Sequence, residues 1–135
     1  MHHDDLKMQL QFYLRQFIRN TKLKDAVYDP EILKKIAENI IHLKECSHRL
    51  QQDRETTDEL KMNAQIIENM MMQDLEAEGV ECCYFDAAKH LVDGDDPKEM
   101  RALVKELVSF SSKEERSSLI DHFAHIADNP ESTLD

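Results

Sequence analysis

The sequence contains very little glycine, proline and tryptophan. Its 135 residues include two glycines, three prolines and no tryptophan. Tight β-turns depend on glycine and proline at fixed positions, so a sheet with many turns is excluded. Loops that cradle phosphate groups are excluded for the same reason, since they need several glycines. We therefore predict an all-α, single-domain bundle of about five to seven helices, in which two longer helices form an antiparallel hairpin.

Long apolar runs and a cysteine framework are missing as well. No apolar run approaches the roughly 20 residues of a membrane-spanning helix, and the opening residues His2-His3-Asp4-Asp5 are unlike a secretion signal. Three cysteines, two of them adjacent, do not suit a set of paired disulfides. We therefore expect a cytoplasmic protein that makes no contact with a membrane.

Positive charge is scarce in the second part of the chain. The formal net charge is −11. The first 50 residues hold nine basic and seven acidic residues, a balance of +2, whereas residues 51–135 hold eight basic and 21 acidic residues, a balance of −13. Such a surface repels phosphate groups, so direct binding to nucleic acid is not expected. It suits docking onto another protein with a basic or amphipathic surface.

Cap residues and apolar spacing divide the chain into helices. We predict one helical domain over residues 1–130 and a flexible tail over residues 131–135. The predicted helices begin near Asp4 or Asp5, at Asp29-Pro30, near Thr57, near Val80, at Asp96-Pro97 and near Ser112, and the third runs to Glu78, before Gly79. The polar segment QDRETTDE is interpreted as the hairpin connection. One continuous rod through residues 50–58 is the alternative, and a second chain would then have to cover it.

A strip of methionine and isoleucine lies outside the main apolar face of the third predicted helix. That main face repeats at helical spacing from Leu60 to Leu75. The strip and the acidic rim that follows it are predicted to bind a partner protein, through Met62, Ile66, Met70, Asp74, Glu76, Glu78 and Glu81. A second interpretation stays open, in which neighbouring helices of the same chain cover the strip.

The adjacent cysteines Cys82 and Cys83 are predicted to have no catalytic or metal-binding role. Because side chains of adjacent residues point in different directions, we expect one thiol to face the core and the other to face solvent. Nearby carboxylates raise the pKa of a thiol and weaken it as a nucleophile. We predict no cofactor.

Histidines supply the candidate metal ligands. His122 and His125 lie three residues apart, beside Asp121, so one helical turn offers two imidazoles and a carboxylate. The set is a weak candidate, because a zinc site needs a further ligand from elsewhere. Around His42 and His48 the sequence contains one Glu-x-x-His step, whereas di-iron bundles use that step twice.

The predicted function is that of a small acidic regulator or adaptor, of the immunity, anti-factor or chaperone type, which binds another protein and is not an enzyme. Two alternatives remain. The first is a metal-dependent helical-bundle enzyme that uses Asp121, His122 and His125. The second is a self-association module, because Met8 and Phe12 lie off the main apolar face of the first helix.

Overall fold

Six α-helices account for most of the part of the chain that the structure describes. The structure is a computed structural model, and it describes residues 3–22, 29–76, 79–94, 97–108 and 114–133. The helices are α1 (His3–Lys22), α2 (Pro30–Gln52), α3 (Asp58–Met71), α4 (Tyr84–Asp93), α5 (Pro97–Val108) and α6 (Glu114–Asp128). These residues contain no strand, only one isolated β-bridge, so the predicted all-α bundle is confirmed. The predicted rim residue Glu78 and the predicted cap residues Asp96 and Ser112 lie outside the described residues.

The first two helices form where the sequence places an apolar face and a start signal. One face of α1 is buried, and it consists of Leu6, Leu10, Leu14, Phe17 and Thr21. The carboxylate of Asp29 accepts a hydrogen bond from the backbone N–H of Glu31 at 3.0 Å, and Pro30 is the first residue of α2. This arrangement satisfies one of the free N–H groups at the start of a helix. The predicted start of α2 is therefore confirmed.

The connection between α2 and α3 is a short turn, and α3 packs back against α2. The backbone leaves the helical conformation at Asp53, whose carboxylate accepts a hydrogen bond from the N–H of Glu55 at 3.0 Å. Thr57 then caps α3 by accepting a hydrogen bond from the N–H of Leu60 at 3.3 Å. The predicted hairpin connection is confirmed, and the alternative of one continuous rod is wrong.

Helix α3 ends at Met71, seven residues before the predicted end at Glu78. The residues after it carry several carboxylates, and the last turn of α3 contains no basic residue. A longer helix would place these carboxylates at its negative C-terminal end, which is unfavourable. The chain instead becomes extended and pairs with the segment before α4, through Leu75 N–H to Cys82 O at 2.8 Å and Tyr84 N–H to Gln73 O at 3.1 Å. Because of this pairing, α4 begins at Tyr84 rather than near Val80.

Helix α2 is central, and it contacts α1, α3 and α4, whereas α6 packs on α1 and α5 packs on α4. The end of α6 is held by α1. Gln11 and Arg15 both donate side-chain hydrogen bonds to the backbone carbonyl of Ala127, at 3.0 Å and 2.8 Å, and so satisfy a carbonyl that the helix leaves free. None of the described helices is both long enough and apolar enough to cross a membrane.

Candidate functional site

The predicted partner-binding strip is only partly exposed. Met62 is 56% exposed, Ile66 is half-buried and Met70 is 5% exposed, within the core. Residues four apart on a helix are displaced by about 40° around its axis, so the strip turns from solvent into the core over two turns. The prediction that Met70 belongs to an exposed surface is therefore wrong, and the exposed part of the strip is Met62 with one edge of Ile66.

The predicted acidic rim does not surround Met62. Asp74, Glu76 and Glu81 are exposed, but they follow the end of α3, which lies about 14 Å along the helix from Met62. The register of the bridge between Asp74 and Cys83 places Glu76 opposite Glu81. The exposed methionine nearest to these carboxylates in the sequence is Met72.

Glu76 also borders a cleft of about 420 Å³ between the segment after α3 and helix α5. The cleft is also lined by three cationic residues of α5, which are Lys98, Arg101 and Lys105. Part of the negative charge of the predicted rim therefore lies next to positive charge of the same chain. This makes the rim a weaker attraction for a basic partner than the sequence alone indicates.

A buried polar pair joins α6 to α3. The side-chain amide of Asn63 donates to the backbone carbonyls of Pro130 and Ser132, at 2.8 Å and 2.5 Å. Carbonyl oxygens only accept, so these two bonds fix which end of the amide is nitrogen. The amide oxygen of Asn63 therefore faces His122 Nε2, 3.2 Å away, and this nitrogen must be the one that carries the proton.

The weak metal candidate of the sequence is not assembled by the structure. His122 is buried, whereas Asp121 and His125 are exposed. The ligand atoms of these three residues do not come within 4.8 Å of one another. Burial, and secondly the neighbouring His125, lower the pKa of His122. The arrangement is that of a neutral core histidine.

A second cleft, of about 330 Å³, lies between α1 and α2. In it the ring of His42 stacks on that of Tyr13, with centroids 4.3 Å apart. The thiol of Cys46 donates to the backbone carbonyl of Leu6 at 3.2 Å, and burial raises its pKa to about 11. A thiol with so high a pKa is protonated at neutral pH and is a poor nucleophile, so this cleft holds no activated cysteine.

The Glu-x-x-His step of α2 is not a paired ligand set. His48 Nδ1 lies 2.9 Å from the carboxylate of Glu68 on α3, and its Nε2 lies 3.2 Å from Gln52 Nε2. The step carboxylate, Glu45, is exposed and lines the cleft between α1 and α2 instead. His48 therefore ties α2 to α3 at the surface.

Both adjacent cysteines are buried, so the prediction of one inward and one outward thiol is wrong. The reason is the paired segment before α4. Cys83 is the N-cap of α4, and its sulfur accepts a hydrogen bond from the N–H of Asp86 at 3.4 Å. Cys82 lies instead beside His90 of α4 and Glu99 of α5. Sequence reasoning missed His90 and Glu99, because only the packing of α5 on α4 brings them to Cys82.

Comparison with known proteins finds no matching family model, no matching curated protein and no matching solved structure. The function must therefore be inferred from the chain's own side chains.

Proposed function

We propose that this chain is a small regulator or adaptor that binds another protein and acts by that contact rather than by catalysis. The observation that carries the proposal is the exposure of Met62 on α3, with the edge of Ile66 one turn further along. Methionine is flexible and polarisable, so it adapts to the shape of a bound apolar side chain. The free state of the three cysteines supports the reducing, cytoplasmic location that forms part of the proposal.

The charges around Met62 support a basic, amphipathic partner. Asp58 and Glu59 lie one turn before Met62, and both are exposed. Residues three and four apart share one side of a helix, so these two carboxylates flank the methionine. Further along the same face lie Gln65 and Asn69, which are exposed and uncharged. A partner helix with apolar residues beside lysine or arginine would complement this face, which we call the α3 face (Asp58, Glu59, Met62, Gln65, Ile66 and Asn69).

Replacement of Met62 tests the α3 face. We expect Met62→Asp to weaken partner binding by at least about tenfold, because it places a charge where an apolar contact is needed. Met62 is largely exposed, so the thermal midpoint should stay close to that of the wild type. The measurement is capture of proteins from native lysate by the immobilised chain, followed by titration of the captured partner.

The matched control is Ser118→Asp, which adds the same charge to an exposed position outside the α3 face, on α6. This variant should keep the partner, and Glu59→Lys should weaken binding in a way that depends on salt. If folded Met62→Asp binds the captured partner as tightly as the wild type, the α3 face is not the contact surface.

A second candidate function, self-association, is favoured by a different observation. Met8 is 66% exposed and Phe12 is 53% exposed. They lie one turn apart on α1, on the side opposite to the buried residues Leu10 and Leu14. Two large apolar side chains in this arrangement form a small patch that a second copy of the chain can cover.

A further inference from the structure

Three potential metal ligands from three separate segments meet beside the end of α4. Cys82 comes from the extended segment before α4, His90 from the last turn of α4 and Glu99 from the first turn of α5. The thiol sulfur, an imidazole nitrogen and a carboxylate oxygen all lie within 4.8 Å of one another. Within the residues that the structure describes, this is the one group of three or more histidine, cysteine or acidic side chains with that geometry.

The three ligand atoms lie close enough together for a single ion to bind all of them after small side-chain shifts. Tetrahedral coordination with bonds of about 2.0 to 2.3 Å separates ligand atoms by roughly 3.3 to 3.8 Å. His90 Nδ1 already contacts the carboxylate of Glu99, and Glu99 is also close enough to Cys82 to raise the pKa of its thiol, as burial does to a greater degree. The three ligand atoms therefore lie in one cluster.

We propose that Cys82, His90 and Glu99 bind a divalent transition-metal ion, with Zn²⁺ as the physiological metal. Thiolate and imidazole are ligands that zinc prefers, whereas calcium and magnesium prefer sites made of oxygen atoms alone. A thiolate and a carboxylate together balance the two charges of Zn²⁺, and neutral imidazole adds none. Binding releases the thiol proton to solvent while a zinc–sulfur bond forms, so no oxidant or reductant is involved.

The burial of the three ligands indicates an open fourth position. The thiol of Cys82 is buried, the Glu99 side chain is 17% exposed and the His90 side chain is 55% exposed. A metal ion can therefore enter from the side of His90, and water completes its coordination there. A site with three protein ligands leaves the fourth tetrahedral position to water.

Cys83 is the natural control for this site. Its sulfur is occupied at the N-terminus of α4, where it accepts the N–H of Asp86. Replacement of Cys83 by serine keeps a hydrogen-bonding cap at that position, because serine is a favoured N-cap residue. The two neighbouring thiols thus have different roles, one at the helix terminus and the other in the proposed site.

Cobalt titration tests the proposal on the full chain. The background should carry His2→Ala and His3→Ala, because two histidines near the N-terminus can themselves chelate metals. Added Co²⁺ should give sulfur-to-cobalt charge-transfer absorption in the near ultraviolet, saturating at one ion per chain, and Zn²⁺ should abolish it. Cys83→Ser should keep this absorption, whereas Cys82→Ser should lose it.

His90→Ala is a second variant, and it removes an exposed ligand rather than a buried one. Because His90 is exposed, this variant should fold, and it should bind Co²⁺ at least about tenfold more weakly than its background, as expected when one of three protein ligands is removed. Bound Zn²⁺ should also raise the thermal midpoint of the background chain, and a chelator should reverse the rise, since the ion links three segments. Absence of charge-transfer absorption, or its persistence in Cys82→Ser, overturns the proposal.

Discussion

Asn63 determines both the orientation and the protonation state of His122. Its amide is held by two backbone carbonyls of the segment after α6, and its oxygen takes the proton of His122 Nε2. Protonation of His122 would therefore have to occur at Nδ1, inside the protein. Burial is the main reason that the pKa of His122 lies below its ordinary value of 6.5.

His122 should make the stability of the protein depend on pH. Below about pH 6.5 the unfolded chain binds a proton at this residue, whereas the folded chain resists it until a lower pH. The free energy of unfolding should therefore fall as the pH is lowered from about 7 to about 5. His122→Gln keeps an N–H donor for Asn63 and removes the titrating group, so its dependence on pH should be shallower. Urea midpoints measured across this range provide the test.

His42→Gln is the control for this measurement, because His42 is exposed and lies in a different part of the bundle. It should keep the pH dependence of the wild type. A His122→Gln curve that is parallel to the wild-type curve between about pH 5 and 7 would contradict the assignment of His122 as a neutral buried residue.

The start of α2 was predictable from the sequence, but the end of α3 was not. Asp29 with Pro30 is a local signal, because the cap and the first turn lie within three residues. The end of α3 has no such signal. Leu75 continues the apolar spacing of the helix, yet it is buried in the extended segment instead, where its N–H pairs with Cys82. Leu75 would be buried in a longer helix as well, so apolar spacing alone does not distinguish a longer helix from the extended segment.

The turn between the paired segments depends on Gly79. This residue has a φ of 79°, in the left-handed region that other residues rarely adopt. A Cβ at Gly79 would meet no atom within 4 Å, so the backbone conformation is the sole cost of Gly79→Ala. We expect this variant to lose roughly 1 kcal/mol in free energy of unfolding, measured by urea denaturation.

Gly94 is the matched control for this substitution. It also has open space around the Cβ position, but its backbone is extended, with a φ of −177°. Gly94→Ala should therefore cause no loss of stability, and the restricted unfolded chain favours a slight gain. Equal losses in both variants would show that the turn at Gly79 does not depend on its left-handed conformation.

The packing of α5 on α4 brings together residues whose proximity the sequence does not reveal. Cys82 and His90 are eight residues apart, and Glu99 is nine residues further on, which matches no familiar ligand spacing. They meet because α5 packs on α4. The prediction that Met70 is exposed was wrong for a related reason, because its burial depends on which neighbours cover that side of α3. Periodicity predicts which faces are apolar, and tertiary packing selects what covers them.

The distribution of charge over the chain bears on self-association. Two copies with a net charge of −11 each repel one another at low ionic strength. The repulsion should be smallest where α1 of each copy meets the other, because the first 50 residues carry a balance of +2. A contact through Met8 and Phe12 thus combines two of the three most exposed large apolar side chains of the described residues with the least acidic part of the sequence.

Sedimentation equilibrium at high micromolar concentration tests this contact. The wild type should form dimers, and the dimer fraction should rise with added NaCl, because salt screens the repulsion over a Debye length of about 10 Å at 0.1 M. Phe12→Asp should be monomeric at every salt concentration, since it places a carboxylate in the apolar contact. Met62→Asp should still dimerise, because the α3 face lies on another helix. A wild type that stays monomeric at high salt, or a Phe12→Asp variant that dimerises equally well, would remove α1 as the contact between copies.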